Sequence, residues 1–124
     1  MKIRTIKHPF SVCKIKNLVE VDVKDEFYFI GKTDEELSLV CMTEHVPVNT
    51  IERDDGWKAL KIQGILDFSL IGILANIAAI LADNKISIFA ISTYNTDYIL
   101  TKSENYSKAL ELLEQAGYQI EGGL

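Results

Sequence analysis

The sequence predicts an α+β fold in which the C-terminal half follows the order β-α-β-β-α-β. Two observations support this order. Apolar side chains recur at helical spacing over 70–82 and 103–116, and short runs rich in β-branched and aromatic residues flank both segments. Two right-handed crossovers of this kind interleave into a four-stranded antiparallel sheet with both helices packed on one face. We therefore predict one such unit over residues 61–124.

The first strand and first helix of this half come from residues 57–85, WKALKIQGILDFSLIGILANIAAILADNK. Asp67 or Ser69 is expected to cap the first helical amides, and Asn84 to adopt the left-handed conformation at the helix end. Because the helix is apolar on nearly all sides, we expect it to pack against a second domain or subunit as well as the sheet. Its apolar positions at helical spacing are Leu70, Ile73, Leu74, Ile77, Ile80 and Leu81.

The rest of the C-terminal half supplies two strands, a second helix and a last strand. ISIFAIS predicts a strand, residues 93–96 a turn, and residues 97–101 the returning strand. In the second helix, Ser103 is expected at the N-cap, and Gly117 just past the C-terminal end, where a left-handed residue is favoured. YQIEG predicts the final short strand.

The N-terminal half repeats this pattern in a weaker form. PFSVCKI, FYFIGKT and EELSLVCMT predict strands, and KNLVEVDVKDE stands where a first helix is expected, although it is short and rich in β-branched residues. FIGKTDEELSLVC and AISTYNTDYILTK both run strand, threonine-containing turn, acid, strand. Either this is coincidence or residues 1–60 form an eroded copy of the second unit, with a shortened first helix. TEHVPVNTIERDDGW predicts a turn-rich connector, so the boundary lies near residue 60.

Composition and charge narrow the classes of function. The 124 residues are 48% hydrophobic and 25% charged, with a net charge of −5 and no basic cluster, which argues against nucleic acid or an anionic membrane as partner. The longest apolar run is too short for a membrane-spanning helix, and the N-terminus lacks the apolar segment of a signal peptide. Cys13 and Cys41 form no zinc-binding spacing and predict buried free thiols in a reducing cytoplasm. We expect no cofactor and no metal.

Motifs of catalysis are not found in the sequence. His8 and His45 have no cysteine or serine partner by spacing, and the acids of the polar loops are typical of solvated surface. The sequence therefore predicts a protein that is not an enzyme.

Two polar segments are candidates for a binding site. The amides at the start of the first helix suit a carboxylate or phosphate, and Gly72 in its first turn indicates close approach of either a ligand or a neighbouring backbone. At the end of ISIFAIS, Ser92, Thr93, Tyr94 and Asp97 gather donors and acceptors. Asp97 either pairs with an ammonium or guanidinium group or caps the turn.

Residues 62–101 resemble the ACT domain, a regulatory βαββαβ module with a ferredoxin-like fold that binds amino acids. The resemblance is carried by Asp67, Gly72, the apolar helix 70–82 and the strand KISI. LDFSLIG at 66–72 and ISIFAISTYNTDYIL at 86–100 are similar to the CASTOR arginine sensors and to the allosteric domains of aspartate kinases. EELSLVC extends the resemblance to the first half, as two tandem ACT-like units.

The resemblance implies a regulatory sensor that binds a small amino acid and has no catalytic function of its own. We expect a homodimer because the first helix is too apolar and sheet edges need covering. Its regulated partner would be a metabolic enzyme or another protein. Ile71 departs from the family pattern, which often has proline before the glycine. The alternative is a structural or protein-interaction module in which the ACT-like fold has no working ligand site. The implied ligand-binding residues are Phe68, Ser69, Leu70, Ile71, Gly72, Ser92, Thr93, Tyr94 and Asp97.

Overall fold

The computed structural model describes residues 1–63 and 72–122. The described residues form an α+β fold of seven strands and two α-helices, with a 3-10 turn at Thr43–His45. The elements are β1 (Lys2–Ile15), β2 (Tyr28–Lys32), β3 (Leu37–Met42), β4 (Thr50–Ile62), α1 (Ile73–Asp83), β5 (Ile88–Ser92), β6 (Asp97–Lys102), α2 (Ser103–Gln115) and β7 (Gln119–Glu121). No helix in the described part of the chain is long and apolar enough to cross a membrane.

Contacts divide the chain into two compact units. The helical unit comprises Met1–Lys7 and Lys58–Leu124, and the strand unit comprises His8–Trp57. Strands β1 and β4 each contribute residues to both units. The sequence prediction assigned the first seven residues to the N-terminal unit, whereas the contacts assign them to the helical unit.

The sheet of the helical unit differs from the predicted four-stranded sheet by one inserted strand. Its order is β7-β1-β4-β6-β5, so β1 lies between the first and last predicted strands. Lys2 is paired in parallel with Gln119, and the Gln63 amide donates to the Lys2 carbonyl at 2.9 Å. Ile3 and Ile6 of β1 are buried, and the apolar surface that they remove from water favours the insertion. The charged residues around Ile3 and Ile6 interrupt the apolar pattern, so the sequence analysis did not predict this part of β1.

Both helices pack on one face of this sheet, as predicted. Leu60 and Ile62 of β4 share a buried cluster with Ile77 of α1 and Leu113 of α2. The Tyr106 hydroxyl in α2 donates to the Ala59 carbonyl at 2.6 Å, which ties the second helix to β4. The helices are thus fixed by apolar burial and by one buried hydrogen bond to the strand backbone.

The helix ends correct two predicted caps, those assigned to Asn84 and Ser103. Gly72 is the N-cap of α1, with a φ of 91° and no side-chain cap bond; Asp67 and Ser69 lie outside the described residues. Lys85, with a φ of 60°, adopts the left-handed conformation that was expected of Asn84. Helix α2 starts at Ser103 itself, without a side-chain cap. The positive φ of Gly117 agrees with the prediction.

In the strand unit, β1 pairs antiparallel with β3, and β3 with β2. The predicted short helix over 16–26 is wrong, since these residues form turns. The side chain of Asn17 accepts a bond from the Val19 amide, and that of Asp22 accepts one from the Lys24 amide. Such local bonds compete with a helix. The predicted connector is also largely strand, because β4 begins at Thr50.

The hairpins β2–β3 and β5–β6 have the same loop geometry. Each has a four-residue loop closed by a bond from a threonine amide. Thr33 donates to the Glu36 carbonyl at 2.9 Å, and Thr93 donates to the Thr96 carbonyl at 2.8 Å. The two segments that are similar in sequence therefore also share their turn.

Candidate functional site

The β5–β6 hairpin places Ser92 and Asp97 directly opposite each other at the ends of its strands. The Ser92 hydroxyl donates to Oδ1 of Asp97 at 2.6 Å. Within the described residues Oδ2 of Asp97 has no hydrogen-bond partner, and the side chain is half-buried. The Ser92–Asp97 pair therefore presents an oriented carboxylate oxygen, the group that binds an ammonium or guanidinium ion.

The turn itself is made by Thr93 and Thr96. The Thr93 amide and hydroxyl both donate to the Thr96 carbonyl, at 2.8 and 3.0 Å. The hydroxyl of Thr93 is thus used inside the loop; the sequence analysis named Thr93 as a ligand-binding residue but assigned its hydroxyl no contact. Asp97 does not close this loop, which was its alternative role, since the hydrogen bonds that close the loop are donated by Thr93.

Thr96 anchors the hairpin, a role that the sequence analysis missed. Its side chain is buried, and its hydroxyl donates to the Ile62 carbonyl at 2.7 Å. This bond holds the loop against the end of β4, directly before the segment that leads to α1. A threonine in a polar turn has no sequence signal that distinguishes an anchoring residue from a solvated one.

Asp97 lies on the side of the sheet that carries the helices. Side chains alternate along a strand, so Asp97 shares its face with Ile99, which is buried against residues of α1 and α2. Helix α1 ends at Asp83, close in sequence to the start of β5, so the N-terminus of α1 lies toward the Ser92 end of that strand. The topology therefore brings Gly72, at the start of α1, and the Ser92–Asp97 pair to the same end of the helical unit.

Gly72 begins α1 and is exposed. Within the described residues, a Cβ placed on it would have no heavy atom within 4 Å, so the positive φ of this residue, and not crowding, accounts for glycine. The predicted ligand contacts Phe68, Ser69, Leu70 and Ile71 lie outside the described residues. Tyr94 extends from the hairpin tip and is 85% exposed.

The equivalent hairpin of the strand unit lacks the carboxylate. Lys32 and Leu37 pair where Ser92 and Asp97 pair in the helical unit. The acids Asp34, Glu35 and Glu36 lie within the loop instead. Only one of the two similar hairpins therefore carries the Ser92–Asp97 arrangement.

A separate groove of about 500 Å³ lies at the other end of β5. None of the predicted site residues lines it. Its walls are mainly apolar, with one lysine, and are formed by Ala78, Ala82, Lys85, Ile86, Ser87 and Ile88.

His45 and the two cysteines, which were considered for catalysis, have other partners in the structure. His45 Nδ1 lies 2.6 Å from Oδ2 of the buried Asp25 carboxylate. Cys13 and Cys41 are buried free thiols, as predicted. A hydrogen bond from Cys41 lowers the pKa of the Cys13 thiol, and the same bond raises the pKa of the Cys41 thiol. No group of three His, Cys, Asp or Glu side chains suited to a metal ion occurs in the described residues.

Comparisons with known proteins agree with this architecture. A model of the ACT domain matches residues 52–115, and a second family model, described as an N-terminal domain, matches residues 9–49. A search of curated proteins found no match. A solved structure from Agrobacterium tumefaciens is 28% identical, with a TM-score of 0.87, and the alignment covers 99% of this chain and 93% of that one.

Two aspartate kinase structures share the fold at lower identity. The regulatory subunit of aspartate kinase from Thermus thermophilus, in its ligand-free form, is 12% identical with a TM-score of 0.64, covering 94% of this chain and 97% of that one. The aspartate kinase of Clostridium acetobutylicum is 16% identical with a TM-score of 0.68, covering 92% of this chain but 34% of that one. At these identities the likeness concerns the fold.

Proposed function

Because the chain belongs to the ACT-domain family, we propose that it is a non-catalytic regulatory protein that binds a small amino acid. The observation that carries this proposal is the Ser92–Asp97 pair, held at the end of β4 by the bond from Thr96 to Ile62. A carboxylate with one oxygen oriented by a serine and the other available suits the ammonium group of an amino acid.

The ligand's carboxylate requires a positive partner at the same end of the unit. The unpaired amides at the start of a helix carry partial positive charge, and Gly72 begins α1 toward the end of the sheet where Ser92 lies. We assign the carboxylate to the segment Ser69–Gly72, with Phe68 and Leu70–Ile71 beside it, and the ligand side chain to the region of Thr93 and Tyr94. The regulatory aspartate kinase subunit with the same fold supports a regulatory role.

Calorimetric titration with each of the twenty amino acids tests this function. The protein must first be shown by mass spectrometry to be free of co-purified ligand. Saturable heat with one amino acid or a few related ones is expected. The absence of heat with all twenty would overturn the proposal.

We further propose two tandem ACT-like units and a homodimer. The shared loop geometry of the two hairpins supports a repeat, with its boundary near residue 60. For the dimer, the support is the outer edge of β5. Hydrogen-bonded and non-hydrogen-bonded residue pairs alternate along an antiparallel hairpin. Since Thr93 and Thr96 are a hydrogen-bonded pair, the backbone N–H and C=O groups of Ile88, Ala90 and Ser92 point away from β6. A second copy would satisfy them.

The regulated partner is proposed to be a metabolic enzyme or another protein, in the cytoplasm, where buried free thiols persist. The alternative function, an interaction module without a working ligand site, is favoured by the apolar groove beside Ala78 and Ala82. Protein–protein association that is insensitive to every amino acid would support the alternative.

A further inference from the structure

The strand unit exposes large aliphatic side chains on two loops and at the start of β4. They are Leu18, Val19 and Val23 at 46%, 84% and 69% exposure, and Val48 and Ile51 at 87% and 51%. We refer to these five residues as the aliphatic loop surface. Soluble proteins keep contiguous exposed apolar surface small unless it binds something.

The two loops are joined by a side-chain contact. The Asn49 amide group donates to Oδ1 of Asn17 at 3.0 Å and to the Asn17 carbonyl at 3.4 Å. Leu18 and Val19 follow Asn17 directly, and Val48 precedes Asn49. The most exposed members of the aliphatic loop surface are therefore brought together from residues about thirty positions apart.

The loop 16–27 is held in place by further bonds. His45 contacts the buried Asp25 carboxylate, and the Tyr28 hydroxyl donates to the Val23 carbonyl at 3.4 Å. Val21 packs against the buried cluster that contains Cys13 and Leu39. In the run VEVDV the middle valine thus contributes to the core, while Val19 and Val23 face water and contribute nothing to it.

The charge around this surface has one predominant sign. Segments 16–27 and 43–55 contain eight Asp or Glu and three Lys or Arg, a net of −5 that equals the net charge of the whole chain. A second copy of the same surface or an anionic bilayer would meet like charge. A surface with apolar side chains bordered by Lys or Arg would meet opposite charge.

We propose that the aliphatic loop surface is a docking site for a protein partner whose contact surface is apolar and bordered by lysine or arginine. The proposal rests on the strand unit alone and does not depend on the ligand site near Asp97. Apolar contacts would contribute the affinity, and the acidic surroundings would select the partner and raise the association rate.

Two synthetic amphipathic helical peptides test this on the full chain, one built of leucine and lysine and one of leucine and glutamate. Binding is measured by anisotropy of a labelled peptide at two salt concentrations. The variant pair Val19→Ser and Val48→Ser removes exposed side chains only, so folding is retained. Ile30→Ser, on β2 of the same unit and 41% exposed, is the matched control.

The expected result is salt-sensitive binding of the leucine–lysine peptide, weakened about tenfold in the double variant and unchanged in Ile30→Ser. Equal binding of both peptides, or equal affinity for the double variant and the parent chain, would overturn the proposal. So would failure of the leucine–lysine peptide to bind. Self-association of the chain that the double variant abolishes would assign the surface to a second copy instead.

Discussion

Asp97 is the residue on which the proposed ligand site depends. Its carboxylate is oriented by Ser92 and half-buried, at the end of a strand that is anchored by Thr96. The sequence shows these polar residues in one short stretch, and it predicted both a turn and a candidate binding site there. The sequence did not show the separate roles of Thr93 and Thr96, because hydrogen bonds decide which threonine closes the loop and which one anchors it.

Replacing Asp97 by alanine is expected to weaken amino acid binding by roughly tenfold to a hundredfold, because a charged hydrogen-bond partner is lost. Calorimetric titration measures this directly. Asp34→Ala, an exposed acid in the equivalent hairpin of the strand unit, is the matched control and is expected to leave binding unchanged. Equal affinities for Asp97→Ala and the parent chain would remove Asp97 from the site.

Thr96→Val tests the anchor of the hairpin. The substitution preserves volume but leaves the Ile62 carbonyl without its hydroxyl donor, so the free energy of unfolding is expected to fall by about 1 to 3 kcal/mol. Chemical denaturation measures the change. Thr33→Val, an exposed loop threonine of the other hairpin at the position equivalent to Thr93, is the comparison and is expected to cost less than about 1 kcal/mol. Similar losses in both variants would show that burial of Thr96 does not matter.

At the scale of the elements, α2 is joined to β4 by a buried tyrosine. The Tyr106 hydroxyl donates to the Ala59 carbonyl, and burial raises the pKa of Tyr106 to about 12. The protonated form is therefore the one that the fold favours. This interaction explains why a helix with many charged residues is held firmly along one side: its polar face remains in water while Tyr106, Ala109 and Leu113 are buried.

Tyr106 makes stability depend on pH in the alkaline range. Its pKa is higher in the folded state than the value of about 10 expected when unfolded, so its contribution is complete below pH 10 and is lost as pH rises toward 12. The loss is expected to reach about 2 to 3 kcal/mol. Urea unfolding from pH 9 to 12 measures it. Tyr106→Phe should be less stable at pH 9 and show a shallower alkaline decline; an identical decline would contradict the assignment.

At the scale of the whole molecule, the outer edge of β5 is the part of the sheet that a second copy would cover. Among the described strands β5 ends the order of the helical unit, and the mainly apolar groove lies at its Ile88 end. The sequence predicted an uncovered apolar helix surface, and α1 exposes Ala75, Ala79 and Ala82. Edge and groove together account for the proposed homodimer.

Ala90→Pro is expected to convert the dimer to a monomer, because proline removes an outward amide and adds bulk at the edge. Native mass spectrometry of freshly purified protein measures oligomer size and bound ligand together. Ser107→Ala, an exposed position on α2, is the control. A monomeric parent chain, or a dimer that persists in a folded Ala90→Pro variant, would contradict this interface.

The sequence by itself determined both helices and the strands β4, β5, β6 and β7 of the helical unit, because helical and strand periodicities and the turn at 93–96 are local patterns. It also determined the family, through the long motif from Ile86 to Leu100. Only the tertiary structure decided that β1 enters the sheet between β7 and β4, that Thr96 reaches Ile62, and that Gly72 begins α1. These depend on contacts between residues distant in sequence, where burial of Ile3 and Ile6 outweighs the charged residues around them.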